Sequence, residues 1–243
     1  MMKTMVKNTG LSISENVYHT LRKNIVNLTF KPGQVLNLRE ITEKLEVSRT
    51  PVREALIRLE REGLIDIIPQ VGTSVSRIDL SRVEEEQFIR SSLEEKALAL
   101  CLEKDQKFLL IELEKALLHQ ETCLKEPDAL AFLDWDDEFH KSIFHFAEKD
   151  LSWNLILNNS SHYRRIRIMT LWNKDLRYSV YEQHQEIFNF LKKDARALVF
   201  SLIHDHFSRL SIQEKELLEA YPDYFRKPVH TEDPLITNYI QRK

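Results

Sequence analysis

Four polar residues fall where the helical periods of this chain call for apolar ones, and all four are metal-ligating types. The segment from Phe132 to Phe144 puts Asp136 and His140 one helical turn apart, on the stripe that also carries Phe132, Ile143 and Phe144. His184 lies in line with Ile187, Phe188 and Leu191. His206 follows Val199 and Ile203 and precedes Leu210. Three imidazoles and one carboxylate on facing helices are the donor set of a divalent transition-metal site with positions left open for water or a ligand. Each residue also has an ordinary role. A single His on an apolar face is more often a hydrogen-bonded core residue than a ligand, and Asp136 could pair with an arginine.

A second constellation offers guanidinium groups. Val47-Ser48-Arg49-Thr50-Pro51-Val52-Arg53-Glu54-Ala55-Leu56 places two arginines four apart at the start of an amphipathic helix. Arg49 and Arg53 share one face, while Val52, Leu56 and Leu59 form an apolar stripe on the other. Ser48 is positioned as the N-cap, and Pro51 sits in the first turn, where a missing N–H costs little. A helix that packs on one side and presents guanidinium forks near its N-terminus on the other suits the major groove of DNA.

The elements that would hold these groups follow from the flanks. Leu38 to Leu45 is a short helix with Leu38, Ile41 and Leu45 on one side, joined to the next by Glu46 and Val47 alone, as in a helix-turn-helix. Asn16 to Leu28 carries Val17, Leu21, Ile25 and Leu28 at helical spacing. Glu62-Gly63 closes the arginine-bearing helix. Two short strands, Leu64–Ile68 and Thr73–Ser76, flank Pro69-Gln70-Val71-Gly72. The sum is a winged helix over residues 11–78, behind a flexible arm of residues 1–10. From Asp79 strand signals vanish. Helices are expected near 81–104, 106–124, 128–148, 151–172, 177–193 and 195–219, several capped by aspartates at the breaks. Short connections imply an all-α antiparallel bundle over 79–222, with a hinge at Asp79 to Arg82 and a loose tail over 223–243. The fold class is mainly α.

Charge divides along the same boundary. Residues 1–78 hold 12 Lys and Arg against 8 Asp and Glu, and the remainder holds 23 against 30. A basic module joined to an acidic one suits phosphate neutralisation by one half only. There is no apolar run of 18 residues and no signal core, and Cys101 and Cys123 lack a Cys-x-x-Cys spacing. These features point to a cytoplasmic protein with no membrane segment.

The run from Leu45 through Gly63-Leu64, with the wing Gly72-x-x-Val75, resembles the DNA-binding domain of GntR-type bacterial transcription regulators. The resemblance places DNA contacts on Arg39, Arg49 and Arg53, phosphate or base contacts on Ser48 and Thr50, and the wing tip at Gly72. One departure is Glu46, where the family usually has glycine. A positive φ there would strain a non-glycine residue.

The second half resembles the FCD ligand-binding domain of the FadR-type branch. Metal-binding members carry D-x-x-F-H, then E-H-x-x-I, then a His 22 positions on. Here Asp136-Asp137-Glu138-Phe139-His140, Glu182-Gln183-His184-x-x-Ile187 and His206 fit that order, with Gln183 inserted. His204 and Asp137 are the rivals of His206 and Asp136. The resemblance implies a divalent transition metal, zinc ahead of nickel or manganese. It also implies an effector cavity faced by Arg90 in Arg90-x-x-Leu93-Glu94, although Arg90 could instead pair with Glu94. The cluster His162-Tyr163-Arg164-Arg165-x-Arg167 could line that cavity or cover a dimer surface. The expected function is a homodimeric repressor on palindromic double-stranded operator DNA, relieved by a small carboxylate bound at the metal. Two alternatives are a metal-dependent enzyme fused to a DNA-binding domain and a metal-free regulator controlled by partner binding. The enzyme needs a general base, and Glu138 points along a different helix face from Asp136 and His140.

Overall fold

A computed structural model describes residues 10–68, 70, 72–125 and 128–227, with the side chains of 209–212 outside the description. The expected arm 1–10, apart from Gly10, and the expected tail beyond residue 227 lie outside the described residues. So do the side chain of Leu210 and two wing residues, Pro69 and Val71.

The N-terminal unit runs α1 (Ile13–Val26), β1 (Val35–Leu36), α2 (Leu38–Leu45), α3 (Arg49–Arg61), β2 (Ile65–Ile68) and β3 (Gly72–Val75). Val17, Leu21 and Ile25 of α1 meet Ile41 and Leu45 of α2 and Val52, Leu56 and Leu59 of α3 in one buried cluster. Burying one such aliphatic side chain contributes about 1.5–3 kcal/mol, and this shared core fixes the angle at which α3 leaves the turn. The sheet has three antiparallel strands in the order β1-β3-β2, one more than the sequence suggests. Val35 and Leu36 pair with Ser74 and Thr73, a two-residue strand too short to show alternation.

Local signals account for most helix starts. Asn37 accepts from the Arg39 and Glu40 amides at the head of α2, satisfying donors that have no partner within the helix. Ser48 occupies the N-cap of α3 but makes no side-chain capping bond there. Glu46 adopts φ 55° and ψ 40°, so the strain expected of a non-glycine turn residue is present.

The larger unit contains α4 (Leu80–Cys101), α5 (Lys107–Lys125), α6 (Ala129–Phe146), α7 (Asp150–Asn159), α8 (Ser161–Thr170), α9 (Lys174–Lys192) and α10 (Arg196–Ala220), then a 3₁₀ turn, Pro222–Tyr224. The single helix expected over 151–172 is two helices, broken at Ser160 with φ −114° and ψ 38°. The side chain of Glu86 on α4 makes that break stable, because its Oε2 accepts from the His162 and Tyr163 amides at 2.8 Å each. A long-range cap of this kind leaves no trace in local sequence. Asp128 caps α6 as expected, whereas α9 is capped by Asn173 and not Asp175.

The junction between the units is structured. Leu80 to Arg82 already belong to α4, which Asp79 caps, so the linker is shorter than the hinge the sequence suggests. Arg165 donates to the Ser76 carbonyl at 2.7 Å, and the Asp79 amide donates to His162 Nδ1 at 3.0 Å. Arg82 donates to the Glu62 carbonyl at the C-terminus of α3. Gly63 follows at φ +71°, packed so closely on Arg82 that an added Cβ would overlap its guanidinium. Phe225 is buried and Ile78 bonds to both sides of it through Tyr224 and Arg226, so residues 223–227 are not the loose tail expected.

His162 gives this junction a pH dependence. Its Nδ1 accepts from both the Asp79 amide and Arg165, and burial, reinforced by Arg165 and Arg82, pushes its pKa down to about 2. The unfolded chain takes up a proton near pH 6.5 that the folded chain refuses. Stability is therefore present above pH 6.5 and falls by about 1.4 kcal/mol per pH unit below it, roughly 2 kcal/mol by pH 5. Urea unfolding of wild type and His162→Asn at pH 7, 6 and 5 should differ in slope by one proton. Parallel slopes would contradict this assignment.

Candidate metal centre and nucleic-acid interface

Helices α6, α9 and α10 bring Asp136, His140, His184 and His206 together. One ligand-type atom from each lies within 4.8 Å of all the others. Asp136, His140 and His184 are buried and His206 is partly so. His204 points away, with a side chain 71% exposed and 3.5 Å from Glu95.

The far side of each imidazole is already occupied. His140 Nδ1 bonds Glu94 Oε1, His184 Nδ1 lies 2.9 Å from Gln120 Oε1, and His206 Nδ1 lies 3.1 Å from Gln183 Oε1. Each acceptor favours a proton on Nδ1 and leaves Nε2 free to ligate, the second layer that metal-binding histidines require, and in His140 and His184 that atom faces Asp136. The Nε2 atoms of His140 and His184 are buried with no hydrogen-bond partner, 3.7 and 3.9 Å from the Asp136 oxygens. Burying two such acceptors unpaired is costly unless something else meets them.

Electrostatics keeps the donors in ligating form. Burial, then neighbouring positive charge, holds His140 and His184 well below the ordinary imidazole value, and His206 is pushed down to about 3. All three rings are therefore neutral at physiological pH. Burial works to raise the Asp136 carboxyl, but the Arg167 and Arg90 guanidiniums outweigh it and keep it ionised. Glu94, fully buried, is pushed up to about 7 by desolvation.

Arginines complete the site. Arg167 on α8 bonds Asp136 Oδ2, and its other amino group donates to Asp137 Oδ1 at 2.8 Å. Asp136 thus does pair with an arginine as well as facing the histidines. A cleft of about 520 Å³, its mouth included, opens beside this pair; Asp136, Tyr163, Arg167, Gln183 and His206 are among its lining. Arg90 does not line this cleft. It is 2% exposed, 3.7 Å from Glu94 and 3.5 Å from Asp137, with the Trp153, Tyr163 and Phe207 rings around it. The i+4 pairing with Glu94 is therefore present, and Arg167 is the guanidinium that reaches the cleft. Gln120 was the residue sequence reasoning passed over. It interrupts the stripe of Leu113, Ala116, Leu117 and Leu124 on α5, the same signal that marks the histidines.

On the other unit, Arg49, Thr50 and Arg53 are exposed along α3, flanked by an exposed Ser48. Arg49 and Arg53 make no hydrogen bond or ion pair among the described residues, so both guanidiniums are uncommitted. Arg39 is exposed on α2 and pairs with Glu43 at 2.8 Å. Gly72, at φ +135°, stands exposed at the start of β3 with open space where a Cβ would be.

A winged helix with two exposed, uncommitted arginines on α3, joined to a helical bundle with a cleft, is the architecture of a DNA-binding transcription regulator. Residues 13–75 match the bacterial regulatory proteins of the gntR family and residues 87–209 match the FCD domain, and the chain belongs to this family. It is 29% identical over 213 residues to the HTH-type transcriptional repressor RspR of Escherichia coli strain K12, across 88% of this chain and 93% of that one. An HTH-type regulator from an unstable DNA locus of Streptomyces ambofaciens is 30% identical over 223 residues, 91% of this chain and 93% of that one. These relatives are named as regulators of transcription, not as enzymes. Among solved structures, Escherichia coli McbR/YncC shares the fold with a TM-score of 0.67 at 22% identity, over 85% of this chain and 99% of that one. No helix among the described residues is long and apolar enough to cross a membrane.

Proposed function

We propose that this chain is a FadR-type repressor that binds a palindromic operator as a homodimer. A small carboxylate, bound at a divalent metal ion, would control its operator affinity. The observation that carries the metal is the pair of buried, unpartnered Nε2 atoms of His140 and His184 facing Asp136. Asp136, His140, His184 and His206 would hold the ion, and an N₃O donor set suits zinc, nickel or manganese. The ion would supply open coordination positions for an anionic ligand. Arg167 brings positive charge and its remaining N–H groups to a carboxylate at the cleft wall, while Arg90 supplies positive charge from behind. A two-fold pair of winged helices supplies the contacts that one is too small to make. Repression is supported by the name of the Escherichia coli relative.

Helix α8 supports a route between the sites. Arg167 near its C-terminus meets Asp136 and Asp137. Arg164, one turn earlier, bonds both Asp137 and Asn27 at the end of α1. Its first turn holds the linker through His162 and Arg165. A ligand that moved Arg167 would move contacts made directly to the DNA-binding unit.

Operator affinity of the metal-loaded protein should change about 5- to 150-fold with a cognate small carboxylate, the usual range of coupling between sites. Fluorescence anisotropy with labelled operator reads this, with a panel of dicarboxylates and hydroxycarboxylates. Chelator should abolish the response, and Arg167→Gln should remove it while effector-free operator binding persists. The second reading is a metal-free network held by the Arg167–Asp136 pair. A response undiminished by chelator would favour that reading and overturn the first.

A further inference from the structure

On the DNA-facing surface of α3 one side chain is out of keeping with its neighbours. Ile57 is 42% exposed, the large apolar residue of this helix that the core does not take up. It lies four residues beyond Arg53 and eight beyond Arg49, so all three project from one face. The same shallow groove is lined by Leu38, Arg49, Thr50, Arg53, Glu54 and Ile57. Val52, Ala55, Leu56 and Leu59 on the opposite face already fill the core contact, so packing does not require an isoleucine here.

Geometry limits what Ile57 can meet. At 1.5 Å per residue, Arg49 and Ile57 are about 12 Å apart along α3, comparable to the width of the major groove of about 12 Å. A helix that lies along the groove, seated by Arg49 and Arg53, carries Ile57 into the groove with them. Base edges there present hydrogen-bond donors and acceptors, and the bulkiest apolar group among them is the 5-methyl of thymine. An isoleucine can meet no larger apolar group on an unmodified duplex, and the β-branch of the side chain restricts χ1 and gives it a defined shape with which to pack there.

We propose that Ile57 is a specificity-determining residue that selects a thymine in each half-site by packing on its 5-methyl group. That thymine lies next to the base taken by Arg53. The proposal rests on α3 being the recognition helix, a reading that Arg53→Ala tests separately in the same assay.

The test begins with operator DNA selected from random sequence by the full-length protein. Each thymine of one half-site is then replaced in turn by deoxyuridine, which removes the methyl and keeps the pairing. Wild type should lose about three- to tenfold in affinity at one position, the scale of one or two buried methyl groups. Ile57→Ala should bind the all-thymine operator more weakly by a similar factor. It should show less than about a twofold further loss at that position, because the partner is already gone. Arg53→Ala should bind weakly yet retain the deoxyuridine penalty, which separates the two readings. A half-site in which no thymine is methyl-sensitive would overturn the proposal. So would a penalty of equal size in wild type and Ile57→Ala. Because Ile57 lies on the surface, circular dichroism of the variant should be unchanged, and an altered spectrum is met by repeating the series with Ile57→Val, expected to be intermediate.

Discussion

Replacing Arg49 and Arg53 together by alanine is expected to reduce specific operator affinity by about 30-fold to 10⁴-fold. Each bidentate base contact is worth about 1–3 kcal/mol of discrimination, and the range is the sum of two such contacts, one expected from each arginine. Both are exposed and uncommitted within the fold, so no intramolecular contact is lost with them. The apolar face of α3, with Val52 and Leu59 fully buried, is untouched. The far-UV circular dichroism spectrum and the oligomer mass should therefore match wild type. Anisotropy titrations at one fixed salt concentration measure the effect, since phosphate contacts make any affinity salt-dependent. Retained affinity in the double variant would remove α3 from the groove altogether.

The second large effect concerns the metal. His184→Ala is expected to lower metal affinity by at least about a hundredfold, because the ring is fully buried and its Nε2 faces Asp136. Gln120→Ala and Gln183→Ala leave every proposed ligand in place and remove only the acceptors on His184 and His206. Their expected cost is about 10- to 100-fold, the usual scale for supporting residues. His204→Ala should change nothing, since that ring is exposed beside Glu95. Metal per chain, measured by mass spectrometry after dialysis against a competing chelator, ranks the four variants. Equal loss in His204→Ala and His184→Ala would show that the cluster is not the binding site.

How far the sequence reveals this molecule depends on the range of the interactions involved. The winged helix is legible because its turn, caps and apolar periods all lie within a few residues of one another. The four clustered residues are legible because a polar side chain breaks an apolar period, and Gln120 carries the same mark. The split between α7 and α8 is not legible, because the carboxylate that caps α8 comes from Glu86, 76 residues before the His162 amide it meets. Arg167 shows the same difficulty. From sequence it is one of several basic residues at 164–167, and only the fold sets Arg164 toward Asn27, Arg165 into the linker and Arg167 onto Asp136. Likewise Phe225 reads as part of a polar tail until its contact with Ile78 is seen.

The attachment of α3 has a mechanical consequence. Its last turn is gripped from three sides: Tyr18 at 2.6 Å and Arg22 at 3.1 Å hold the Glu62 carboxylate, and Arg82 holds the Glu62 carbonyl. Its first turn, with Arg49, makes no hydrogen bond to the bundle among the described residues and is held by Val52 in the winged-helix core. Because the core clamps α3 inside the winged helix, the whole unit turns as one body about a fulcrum at Glu62, and the 13-residue helix gives it an arm of about 20 Å at 1.5 Å per residue. A rotation of roughly 10° about that fulcrum sweeps the Arg49 end through about 3.5 Å, close to the spacing of about 3.4 Å between successive bases. Since Arg82 stands on α4 and Arg22 also bonds Leu157 and Asn158 at the end of α7, the fulcrum belongs to the bundle as much as to the winged helix. A displacement within the bundle too small to alter its packing would suffice to shift the arginines by one base step.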